Sequence, residues 1–133
     1  MTEFTVHPVI AGLTHQLADW PLSRVFLYND SRYHWGLLVP RRPGAIEMCD
    51  LSAEDQRQLM AEIVQLSNLI RPLPGVGKLN VGNLGNMVPQ LHVHVIGRFA
   101  GDPAWPGPVW GHSDPVAWPD PAAAPLSAAV RNG

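Results

Sequence analysis

Apolar and polar positions change period several times along the chain, and each change predicts an element. In LTHQLADW, Leu13, Leu17 and Trp20 recur at spacings of four and three, which predicts a short helix that Pro21 interrupts. RVFLY, residues 24–28, is a short apolar run followed by the turn residues NDSR, the pattern of a strand and its turn. WGLLVP, 35–40, reads as a second strand, antiparallel to the first because the connection is so short. Pro40 and Pro43 end it. The main helix follows: Leu59, Ile63, Leu66 and Ile70 keep a 3.6-residue period, and Pro72 and Pro74 stop it. At its start Ser52, with Asp55 three residues on, makes a weak form of the capping box. VGKLNVG, 76–82, alternates as a strand; NLGNMVP, 83–89, is a glycine-containing loop; QLHVHVI, 90–96, is a strand of period two.

From Gly101 the chain is rich in Pro, Ala and Trp, which excludes a central strand or a long helix there. Trp105, Trp110 and Trp118 are three of the five tryptophans, more aromatic surface than a disordered tail carries. The first half of this region, to about Gly111, is therefore expected to pack on the domain or on a partner subunit, and the last dozen residues to be loose. The organisation expected is a single domain over 1–111 and a Pro/Ala-rich extension over 112–133, since 133 residues suit one core.

Within QLHVHVI, side chains at i and i+2 share a face. Gln90, His92 and His94 form a polar face, expected to be wet, and Leu91, Val93 and Val95 turn into a core. Three readings of the polar face compete. One is an exposed strand whose histidines do nothing. Another is a metal site, since two imidazoles on one strand face can share an ion; no carboxylate follows before Asp102, and nothing points to His7, His15, His34 or His112 as further ligands. The third is nucleophilic catalysis on phosphorus, because neutral imidazole is available near pH 7 and a neighbouring imidazole can donate to a phosphate oxygen. Asn80, Gly82, Gly85 and Asn86, just before the strand, add amide donors and close backbone approach.

Composition narrows these readings. At 46% hydrophobic, 15% charged and a net charge of −2, the chain is globular and a poor match to long nucleic acid, while small anions remain open through local backbone dipoles. A lone cysteine, Cys49, excludes an internal disulfide and a cysteine zinc cluster, and is expected to be a small buried hydrophobe. The start MTEFTVHPVI does not read as a signal peptide, and no apolar run approaches the ~20 residues of a membrane span. A cytoplasmic protein is expected. Arg41 and Arg42 read as solvated cations, and Trp105 and Trp110 as packing residues ahead of platforms for a base.

QLHVHVI resembles the histidine triad motif, His-φ-His-φ-His-φ-φ, with Gln90 in the first His position. NVGNLGNMVP is similar to that family's Asn-x-Gly followed by Gly-Gln-x-Val-x, with Gly85 and Asn86 in the Gly-Gln positions and Val88 in the Val position. The resemblance covers about residues 20–100. It implies an α+β fold: an antiparallel sheet of about five strands, one main helix and, here, a short N-terminal helix. It implies a homodimer acting on a small-molecule nucleotide, by hydrolysis or transfer at the α-phosphate of dinucleoside polyphosphates or nucleoside phosphoramidates. Carried over, His92 is the nucleophile and His94 binds phosphate, with Asn80, Gly85 and Asn86 lining the phosphate and ribose site, Asn29 in a ribose-binding position and Gln90 in the hydrogen-bond scaffold. No cofactor is implied, although Mg²⁺ can accompany a polyphosphate. Three departures stand out: Gln90 for His, Met87 where a hydroxyl often meets the phosphate, and Asn86 one methylene shorter than Gln. They keep a non-catalytic nucleotide-binding module open as the alternative, ahead of a metal-binding protein.

Overall fold

The computed structural model describes residues 3–133. In chain order the elements are α1 (Pro8–Leu13), β1 (Thr14–Asp19), β2 (Ser23–Tyr28), β3 (His34–Pro40), α2 (Ala53–Ile70), β4 (Lys78–Gly82), β5 (Val93–Arg98) and α3 (Pro125–Asn132). The five strands form one antiparallel sheet in the order β1-β2-β3-β5-β4, so the fold is α+β, as the sequence predicts.

The two faces of the sheet do different work. Val25, Leu27, Leu38, Val93 and Val95 pack beneath Leu59, Ile63, Leu66 and Ile70 of α2, and this is the main core. Leu38, Val95 and Leu66 are fully buried, each worth roughly 1.5–3 kcal/mol. The opposite face carries Phe26, Leu37, Val39 and Val88 at one end, and Trp35, Ile96, Ala104 and Val109 at the other. α2 is capped by Ser52, whose hydroxyl accepts from the Asp55 N–H at 3.1 Å. The Asp55 carboxylate pairs with Arg42 at 2.7 Å and does not close the box. From the middle of α2 the buried carboxylate of Glu62 accepts from the N–H groups of Leu22 and Ser23, at 2.8 and 2.9 Å, and so fixes the start of β2.

Several expectations are corrected. LTHQLADW is not a helix: α1 ends at Leu13, and Thr14–Asp19 pairs with β2 as a strand. A bulge at Leu17 puts one extra residue between Gln16 and Ala18 and breaks the two-residue alternation, while Leu13 and Trp20, the other two positions of the helix-like spacing, lie outside the strand. The last dozen residues are not loose. They include α3, which sets Leu126 and Val130 into the main core. Cys49 is exposed. Arg41 and Arg42 are not simply solvated: Arg41 donates to the carbonyls of Trp20 and Leu22, and Arg42 to Asp55. The final strand of the sequence reading is shorter at its start, because Leu91 N–H donates to the Ala45 carbonyl and the ladder with β3 begins at Val93. Among the described residues no helix is long and apolar enough to cross a membrane.

Candidate active site

β5 projects His94, Ile96 and Arg98 onto the face away from α2, and His92 precedes the strand. The face is not wet: His92 and His94 are each 7% exposed. Their rings meet edge to face with centroids 5.2 Å apart. What surrounds the two rings sets their tautomers. His92 Nδ1 lies 2.7 Å from the Gln90 carbonyl, an acceptor only, so in the neutral ring Nδ1 carries the proton and Nε2 keeps its lone pair. His94 Nδ1 accepts from the indole N–H of Trp35 at 3.0 Å, so in the neutral ring Nε2 carries the proton. Burial, reinforced by the neighbouring His92, lowers the His94 pKa from 6.5 to about 3, so this ring stays neutral at physiological pH. The site thus presents one unprotonated ring nitrogen beside one N–H donor.

Trp35 is itself held. It stacks on Tyr28 with centroids 4.0 Å apart and meets Tyr33 edge-on at 6.0 Å. The backbone of His92 is fixed by Asn83, whose carboxamide N–H donates to the His92 carbonyl at 2.8 Å. Neither Trp35 nor Asn83 is singled out by sequence. Trp35 becomes visible only once the β3–β5 register is known, and an asparagine in a glycine-containing loop carries no distinguishing mark.

His92 opens onto a cleft of about 440 Å³ lined also by Leu84, Gly85, Asn86, Met87, Val88 and Trp110. Gly85 has φ +75°, the left-handed region that favours glycine, and this turns the loop back towards the strand. Met87 is 94% exposed, so its side chain adds nothing to an anion site.

Of the residues singled out by sequence, His92, Gly85 and Asn86 line this cleft, and His94 lies behind His92. The other three have side chains engaged within the protein. Asn80 accepts from Arg98 at 2.8 Å. Asn29 accepts from the Trp118 N–H at 3.0 Å. Gln90 accepts from the His7 N–H and donates to the Thr5 carbonyl, both at 2.8 Å, and so staples the N-terminal segment. Among the described residues no three His, Cys, Asp or Glu side chains gather as a metal would require.

The Pro/Trp segment is anchored beside the site by a buried ion pair. Arg98 donates to both carboxylate oxygens of Asp102, at 2.7 and 2.9 Å, and to the Gly107 carbonyl at 2.8 Å. Burial pushes the Asp102 carboxyl up, but the Arg98 guanidinium and the Phe99 and Trp105 N–H groups outweigh it and hold the pKa below 3.8.

The sequence and the fold are similar to those of known proteins. The HIT domain family model matches residues 14–101, well over half of the chain. The chain belongs to the HIT domain family. A histidine triad protein from Bradyrhizobium japonicum superposes with a TM-score of 0.93 at 43% identity, covering 98% of each chain. One from Marinobacter aquaeolei gives 0.93 at 44% identity, over 98% of this chain and 96% of that one. A third, from Sinorhizobium meliloti, gives 0.92 at 36% identity, over 97% and 96%. No curated protein matches the chain.

Proposed function

We propose that the protein hydrolyses or transfers nucleotidyl groups at an α-phosphate, through a nucleotidyl-histidine intermediate on His92. The observation that carries this reading is the pair of complementary tautomers: Nε2 of His92 holds a lone pair because Gln90 occupies Nδ1, and Nε2 of His94 holds a proton because Trp35 occupies Nδ1. A lone pair on nitrogen is what attacks phosphorus, and a neutral N–H donor beside it can meet the charge that builds on the phosphoryl oxygens.

In the first step the His92 Nε2–phosphorus bond forms and the bond from phosphorus to the leaving group breaks; the leaving group takes a proton from solvent. In the second, water attacks phosphorus, the P–N bond breaks, and the proton the water loses restores the balance. The net change is addition of one water across the cleaved bond. His94 N–H and the amides of the Gly85–Val88 loop are assigned to the equatorial oxygens. Replacing His by Gln at position 90 is compatible with this chemistry, because the contact to His92 comes from the backbone, which every residue supplies.

Mg²⁺ is assigned to a polyphosphate leaving group and not to the protein. The test is turnover of an adenosine 5′-phosphoramidate and of diadenosine tetraphosphate by the purified protein. Release of AMP that is lost in His92→Asn supports the reading. Tight nucleotide binding with no turnover of either compound supports a non-catalytic binding module instead.

A further inference from the structure

Trp110 comes from the proline-rich segment, beyond residues 14–101 that match the family model, yet its indole lies at the site. Gly82 stands directly across from His94 in the β4–β5 ladder. A Cβ at Gly82 would come within 2.7 Å of Trp110 Cη2, so glycine clears the seat in which the six-membered ring rests. The indole meets His94 edge-on with centroids 5.5 Å apart. Its backbone is held on both sides, by Arg98 on the Gly107 carbonyl and by the His112 N–H on the Val109 carbonyl at 3.2 Å. The indole N–H is buried and has no partner in the protein, an unspent donor.

The side of the cleft that Trp110 closes is apolar. Leu84, Met87 and Val88 form the rest of that wall, and among the described residues no Asp, Glu, Lys or Arg lines the cleft. Five guanidiniums of the chain are engaged with carboxylates: Arg98 with Asp102, Arg32 with Asp30, Arg42 with Asp55, and Arg24 and Arg41 with Asp19. A polyphosphate chain would bring several negative charges against walls with no cation to meet them. A flat uncharged group gains about 25 cal/mol for each Å² of apolar surface it buries, and an aromatic one can also pack against the indole.

We infer that Trp110 is a specificity-determining residue: it forms the wall that receives an uncharged apolar leaving group, and it directs the site to α-phosphate substrates of low charge in preference to polyphosphates. This rests on the nucleotide reading above. The test is calorimetric binding to the His92→Asn protein of three compounds: adenosine 5′-phosphoramidate, its N-benzyl derivative, and diadenosine tetraphosphate with Mg²⁺.

The N-benzyl compound is expected to bind about tenfold or more tightly than the other two, the advantage of one well-buried apolar group. Trp110→Ala should remove that advantage while leaving the parent phosphoramidate nearly unchanged. Should Trp110→Ala fail to fold, Gly82→Ala, which displaces the ring from its seat, should cut the advantage in the same way. A benzyl group that adds nothing, an advantage that survives both variants, or tighter binding of the tetraphosphate overturns the inference while leaving the nucleotide reading intact. Binding of none of the three overturns both.

Discussion

The carbonyl of Gln90 lies 2.7 Å from His92 Nδ1, while the side chain of the same residue turns away to Thr5 and His7. One residue thus does two separable jobs: its backbone sets the tautomer of the proposed nucleophile, and its carboxamide ties down the N-terminal segment.

That separation predicts the behaviour of Gln90→Ala. Turnover should stay within a few-fold of wild type, because the carbonyl remains. Stability should fall by about 1–3 kcal/mol from the loss of two hydrogen bonds at ~0.5–1.5 kcal/mol each. Thermal unfolding and steady-state kinetics on the same preparation check both halves.

Trp35→Phe removes the N–H that His94 Nδ1 accepts while keeping the stack on Tyr28. With Nδ1 unclaimed, the His94 ring can take either tautomer. kcat/KM should drop by about tenfold, close to the 1.4 kcal/mol that one such hydrogen bond is worth. Burial and the neighbouring His92, which lower the His94 pKa to about 3, both remain, so an NMR titration should find it still well below the ordinary histidine value. Unchanged kinetics would separate Trp35 from the chemistry.

The depressed His94 pKa carries a consequence for stability against pH. Its folded value, about 3, lies below the unfolded 6.5, so the unfolded chain binds the proton first. The contribution is complete above the unfolded value and is lost as pH falls towards the folded one. At pH 4.5, two units below the unfolded value, the loss should be about 2–3 kcal/mol. The Asp102 carboxylate, held below 3.8, adds nothing within that window. Urea midpoints measured from pH 7 to 4.5 should decline in wild type, and much less in His94→Gln.

Asp102→Asn leaves the Arg98 guanidinium buried without its counter-charge. Removing one partner of such a pair costs about 3–5 kcal/mol, and here it should also loosen the segment that carries Trp110. Chemical denaturation measures the first effect, and indole fluorescence the second.

How much of this was legible beforehand varied with the physics of each element. The β2–β3 hairpin and α2 were plain, because their apolar periods are regular and prolines or a cap mark their ends. β1 is hidden because the bulge at Leu17 breaks its alternation and the spacing of Leu13, Leu17 and Trp20 runs across the end of α1, the strand and the residue beyond it. α3 was missed because its order comes from Leu126 and Val130 docking in a core that the composition of the tail does not reveal. Within the site, the two-residue alternation places His92 and His94 side by side. Trp35, Asn83 and the seat of Trp110 over Gly82 depend on which strands are neighbours, and no local pattern encodes that. The asparagines at 29 and 80 carry the opposite lesson: a residue type suited to binding ribose or phosphate is equally suited to holding the Trp118 backbone or the Arg98 side chain.

The central claim is that the ring of His92 forms a covalent bond to phosphorus, and intact-mass spectrometry tests it most directly. Wild-type protein mixed with an adenosine phosphoramidate and quenched at alkaline pH, where a phosphorus–nitrogen bond survives, should gain the mass of one adenylyl group, mapped to His92. His92→Asn should gain none and should not turn over. An adduct on another residue, or full turnover by His92→Asn, would contradict the account.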